Sequence, residues 1–297
     1  MKIDYFFRNL KYLCMFNLKG IYNHANSDYE DQLVLRLFDM HKNLEELRDL
    51  KGVYNIKSAL ETLEYLNNSN VSLCRFGDGE LEIIFAHQNI VFQKYDKKLA
   101  QRLEEILSSN DPNLLIGVNY FWFHDLSPIV DNQKIFYISN ASKYRNMILD
   151  ILDKNVIYGD ASFTFPYMLY KSMDFDSYYD KFEQLWRGKD IVLIIGKGIF
   201  DNIDKNIFLS AKSIEYIYGA NINAFDHYEE LLSQAAETDQ NKIKFIIMGP
   251  TATVLAYDLF KLGHRALDIG HIAKDYNAYI DKQLINRSSA SKFFDKD

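Results

Sequence analysis

From Val71 onward the chain alternates short β-branched runs with helical stretches, and this alternation restricts the fold more than any other feature. Residues 71–76, 113–118, 156–158, 190–195, 213–218, 242–248 and 266–269 read as strands, with 190–195 the most strand-like run. Residues 81–87, 97–107, 142–152, 224–237 and 253–262 read as helices between them. Strand, helix, strand repeated in this way predicts an α/β fold, a mainly parallel sheet with helices on both faces. Ligands of such sheets bind beyond the carboxyl ends of the strands. The loops after Phe76, Val118, Tyr158, Ile195, Tyr218, Met248 and Ile269 are therefore where chemistry is expected.

Length and composition narrow the class. The 297 residues suffice for a full hydrophobic core. Apolar residues at 48% and charged residues at 25% exclude a disordered or collagen-like chain. The net charge of −7 argues against a nucleic-acid partner. Cys14 and Cys74 are the only cysteines, so a disulfide framework or cysteine zinc site is not expected, and a reducing cytoplasm fits. Twenty-one Tyr and 21 Phe imply a thick aromatic core and rings available to stack on sugars or bases. No apolar run approaches the ~20 residues of a membrane span, and the first residues lack the pattern of a secretory signal.

Residues 1–52 differ from the rest and read as a helical N-terminal extension to a main domain over 53–297. Ile3, Phe6, Phe7, Leu10, Leu13 and Cys14 fall at helical spacing, among Lys2, Arg8, Lys11 and Lys19. That stripe packs on the main domain or a second copy, or it lies at the inner face of a membrane.

Four loop segments carry chemistry. Arg75-Phe76-Gly77-Asp78-Gly79-Glu80 sets two carboxylates, two glycines and a cation after a buried strand. Asp78 and Glu80 on one turn can share Mg²⁺ or Mn²⁺ with substrate phosphates, while Arg75 can pair with a phosphate or hold Glu80. The alternative is a solvated acidic turn in which Asp78 caps a helix. Gly196-Lys197-Gly198 offers backbone N–H groups and an ammonium to a phosphate, or is an ordinary turn. It matches neither the P-loop nor the dinucleotide fingerprint. Gly249-Pro250-Thr251-Ala252-Thr253 places a helix N-terminus at the same edge, with Thr251 or Thr253 as the cap. Asp268-Ile269-Gly270-His271 ends the last strand, where His271 is a base, a third metal ligand or a structural residue.

The acidic turn, the run from Gly249 to Leu259 and Ala266-Leu267-Asp268-Ile269-Gly270-His271-Ile272 resemble signature blocks of the GT-D-fold bacterial glycosyltransferases, a family linked to glycosylation of serine-rich adhesins. Asn223-Ala224-Phe225 resembles that family's Asn-Ala-Phe element, and the likeness covers roughly residues 55–285. It implies a Rossmann-like sheet, a nucleotide-sugar donor that is typically UDP-glucose, and a glycan or glycoprotein acceptor. It further implies a divalent cation at Asp78 and Glu80, with His271 in the active site. Arg75, Gly77, Gly196, Lys197, Gly249, Pro250 and Thr251 would bind the donor. Phe165-Pro166-Tyr167 and Asp275-Tyr276 depart from the family pattern, which has Arg before Pro-Tyr and Glu before the aromatic. A nucleotide-sugar hydrolase and a non-catalytic partner in glycan assembly are the competing functions.

Overall fold

The computed structural model describes residues 29–37, 50, 52–198 and 206–283. Residues 29–37 are helical. The apolar stripe from Ile3 to Cys14 lies outside the described residues.

Eight parallel strands form one sheet in the order β1-β4-β3-β2-β8-β7-β5-β6. They are β1 (Asn55–Ile56), β2 (Ser72–Arg75), β3 (Leu114–Val118), β4 (Ile157–Asp160), β5 (Asp190–Gly196), β6 (Ser213–Gly219), β7 (Ile243–Ile247) and β8 (Ala266–Asp268). The helices are α1 (Ala59–Asn67), α2 (Asp78–Leu81), α3 (Lys97–Leu107), α4 (Asp131–Asn140), α5 (Asn146–Leu149), α6 (Pro166–Leu169), α7 (Phe175–Glu183), α8 (Tyr228–Ala236), α9 (Pro250–Lys261) and α10 (Ile272–Ile280). Helix α9 packs on β2, β7 and β8 and against α3 and α8, while α1 packs on β4 and α7, so both faces are covered. The expected α/β architecture with a parallel sheet is what the chain adopts.

Local sequence explains most of these elements. Ser58 accepts the Glu61 amide while Glu61 reaches back to the Ser58 amide, a capping box that starts α1. Asp96 accepts the Leu99 amide at 2.9 Å and opens α3, whose Leu99, Leu103, Ile106 and Leu107 are buried. Elsewhere the boundaries move. The helix expected over 81–87 is α2 followed by a π-turn over Glu82–Ala86, closed by left-handed His87 at φ 54. The helix expected over 142–152 continues from α4, eleven residues earlier, through a π-turn over Ala141–Arg145 into α5. Val130 before α4 makes no side-chain cap, so no local signal marks that start.

Strand order decides where a ligand sits. The chain leaves β2 toward the α3 and α9 face. It leaves β8 into α10, which packs on α6 and sets Tyr276 edge-on to Tyr179 of α7 at 5.1 Å, on the opposite face. Neighbouring strands whose exits diverge open a crevice at the carboxyl edge. Helix α9 follows β7, and the turn Ile207–Ser210 ahead of β6 packs against α7.

Candidate active site at the carboxyl edge

The acidic turn sits at the divergence of β2 and β8. Gly77 precedes α2, and its N–H donates to Glu80 Oε2 at 2.8 Å, closing the turn. Asp78 and Glu80 thus share one turn two residues apart. Burial raises the Asp78 carboxyl above its ordinary range, with Glu82 adding to the effect. Burial and then the Asp268 charge push Glu80 up to about 7, against the opposing pull of Arg75. A hard divalent cation with oxygen ligands suits such a pair. Among the described residues no three His, Cys, Asp or Glu side chains are gathered to hold an ion. The expected metal trio of Asp78, Glu80 and His271 is therefore not preformed. Two carboxylates completed by phosphate and water is the arrangement Mg²⁺ commonly takes.

Arg75 has a different partner from the phosphate or Glu80 expected of it. Its Nη2 meets Asp268 Oδ1 at 3.0 Å, and its Nε donates to Asp268 O at 3.1 Å. Nη1 donates to Ala161 O at 2.8 Å and Thr164 Oγ1 at 3.3 Å. The guanidinium ties the ends of β2, β8 and β4 together and floors the crevice. Gly270, at φ 42, makes room for it, because a Cβ there would stand 1.9 Å from Nη2. Thr253 Oγ1 donates to Arg75 O at 2.9 Å and lies 3.4 Å from Asp268 Oδ2.

His271 follows this floor and begins α10. Burial, then the charges of Arg75 and Lys274, push its pKa down to about 3, so the imidazole is neutral. Phe165 meets it edge-on at 6.1 Å. Asp275, one turn along α10, accepts the amides of Tyr167 and Met168 at 3.0 Å each, and the Tyr179 hydroxyl at 2.6 Å. Both departures from the family pattern thus meet: Asp275 caps the turn that Phe165 and Pro166 open.

The two phosphate-type loops lie further along. Helix α9 starts at Pro250 rather than Thr253, after Gly249 at φ 53 with no side-chain cap. Neither threonine caps it: Thr253 bonds β2, and the buried Thr251 Oγ1 has no partner. Gly196 is buried as the last residue of β5, and Lys197 is exposed. The Lys197 amide already donates to Gly219 O at 3.0 Å, so its backbone N–H is not free for a phosphate. Three strand spacings separate β5 from β2, about 14 Å.

Sequence reading missed Asp160 and gave Asp268 no role. Asp160 lies at the end of β4, two residues past the expected strand end. Its Oδ1 accepts the Ser162 amide at 2.8 Å and the Tyr120 amide at 3.4 Å, while Oδ2 is buried without a partner. Burial pushes Asp160 up to about 7. Unfolded, it has a pKa of about 4, so the native state holds its proton more tightly. The resulting stability is full below about pH 4 and is lost as pH rises toward 7. Urea midpoints of the wild type are expected to fall between about pH 4.5 and about pH 7.5, and those of Asp160→Asn to fall less. Equal slopes for the two proteins would contradict this.

Comparison with known proteins identifies the family. The family model for the glycosyltransferase GT-D fold matches residues 73–291. The chain is 30% identical over 249 residues to the probable glycosyl transferase Gly of Streptococcus gordonii, covering 82% of this chain and 36% of that protein. It is 25% identical over 251 residues to glycosyltransferase GlyD of Streptococcus pneumoniae serotype 4, covering 82% and 31%. The chain spans about a third of the length of these curated relatives. A solved structure described as a new glycosyltransferase (DUF1792) from Streptococcus sanguinis superimposes with a TM-score of 0.72 at 30% identity, covering 77% of this chain and 85% of that one. Another, described as domain of unknown function 1792 with a distinct glycosyltransferase fold, gives 0.73 at 30% identity, covering 77% and 83%. With residues 73–291, most of the chain, matched by the family model, the protein belongs to the glycosyltransferase GT-D fold family.

Proposed function

We propose that this chain is a metal-dependent glycosyltransferase domain that moves a sugar, glucose from UDP-glucose, onto a hydroxyl of a glycan or glycoprotein in the cytoplasm. The observation that carries this reading is the pair Asp78 and Glu80 on one turn at the diverging exits of β2 and β8. Asp78 and Glu80 would hold Mn²⁺ or Mg²⁺. The bound cation would supply Lewis-acid stabilisation of charge on the leaving diphosphate. The uncapped N-terminus of α9 and the Lys197 ammonium offer positive potential to the phosphates. Arg75 acts from below, fixing Asp268 and the Gly270 exit on which His271 stands. An imidazole titrating near 3 is too weak a base to take a hydroxyl proton efficiently at neutral pH. His271 therefore orients the sugar or acceptor hydroxyl by hydrogen bonding.

Product analysis with UDP-glucose, with and without Mn²⁺ and acceptor glycan, tests the reading. Metal-dependent sugar transfer supports it. Metal-dependent release of free glucose that acceptor does not suppress would favour the hydrolase, and binding without turnover the non-catalytic partner. In the same assay His271→Asn, which misplaces the hydrogen-bonding group, is expected to cut transfer ~100-fold, with an unchanged half-saturating Mn²⁺ concentration. A raised Mn²⁺ requirement would return His271 to the metal.

A further inference from the structure

Residues 88–95 cross the carboxyl edge as a strap that links three of the marked segments. A Cβ on Gly79 would meet Ile90 Cδ1 at 3.1 Å, and one on Gly249 would meet Phe92 Cβ at 3.8 Å. At the far end the Asn223 amide donates to Phe92 O at 2.8 Å, and the Lys94 amide to Asn223 Oδ1 at 2.8 Å. Asn223 sits at φ 55, a left-handed conformation that Asn tolerates better than most residues. Buried Gln93 accepts the Phe225 amide at 3.3 Å. The strap is thereby pinned, with Phe92 beside the start of α9.

Pinning leaves an apolar rim. Val91 is 52% exposed and Ile222 43%, and Phe92 is half-buried. Scattered apolar residues need no explanation, but here the Phe92–Asn223 bond joins the two segments. Asn221 Nδ2 donates to Lys197 O at 2.6 Å, which brings the exposed Lys197 to the same turn. The buried, unpartnered Thr251 hydroxyl and the uncapped start of the twelve-residue α9 adjoin Gly249. Apolar surface, an ammonium and an uncapped helix N-terminus suit a nucleotide: a flat base on the rim, with phosphates at the helix start.

We infer that Val91, Phe92 and Ile222 form the base subsite of the nucleotide donor, an inference that rests on the donor reading above. The donor then lies along the edge, its base over β5 and β7 and its sugar at β2 and β8. Those points are two to three strand spacings apart, about 10–14 Å, a span that an extended nucleotide sugar bridges.

Calorimetric titration with UDP and with inorganic pyrophosphate, each with Mn²⁺, tests the subsite. Val91→Ser/Ile222→Ser alters exposed positions and is expected to weaken UDP about 10-fold, with pyrophosphate affinity unchanged. A variant that binds UDP as tightly as wild type overturns the subsite alone. A variant that loses UDP and pyrophosphate affinity equally also overturns it, since the rim would then act on the phosphates. Wild-type protein that binds neither probe overturns the donor reading and the subsite with it.

Discussion

Asp78→Ala and Glu80→Ala are each expected to reduce sugar transfer by about 10³-fold while the protein remains folded. Asp78 is a buried carboxyl whose proton affinity burial has raised, so its removal relieves a desolvation cost. Glu80 closes the α2 turn through the Gly77 amide, and loss of that bond costs about 1 kcal/mol. Neither change removes core packing. Transfer rates measured against Mn²⁺ concentration, together with melting temperatures, check this. Near wild-type, metal-dependent transfer by either variant would remove the acidic turn from the chemistry.

The largest stability effect is expected at Arg75. Arg75→Met keeps the length of the side chain but leaves Asp268, whose side chain is 3% exposed, without its cation. Breaking one side of a buried pair costs about 3–5 kcal/mol. It also frees Ala161 O and Thr164 Oγ1 from their donor. Adding Asp268→Asn removes the stranded charge and should recover a measurable part of the loss. Urea unfolding of both variants checks this. If Arg75→Met were as stable as wild type but bound UDP poorly, the guanidinium would be a phosphate ligand and not the floor of the crevice.

How legible the site was depends on how local each cause is. The alternation of strands and helices, the resulting α/β class and the position of chemistry at the carboxyl edge all follow from side-chain periodicity and glycine placement. Both are written within a few residues of chain. Helix α3 matches its expected bounds because its apolar stripe and Asp96 cap are both local. Asp78, Glu80 and His271 stood out as candidates for the same reason: each lies within five residues of a strand end. Tertiary structure decided what distance along the chain conceals. The order β1-β4-β3-β2-β8-β7-β5-β6 sets Asp268 beside Arg75, 193 residues earlier, so the guanidinium meets a buried carboxylate instead of a phosphate. Asp160 acquires its raised proton affinity from burial, which no local pattern encodes. The strap reaches Asn223 across about 130 residues, joining an exposed apolar pair that looks like scattered surface in the sequence. Strand identity depends on neighbours along the chain, whereas partner identity depends on which strands become adjacent through packing.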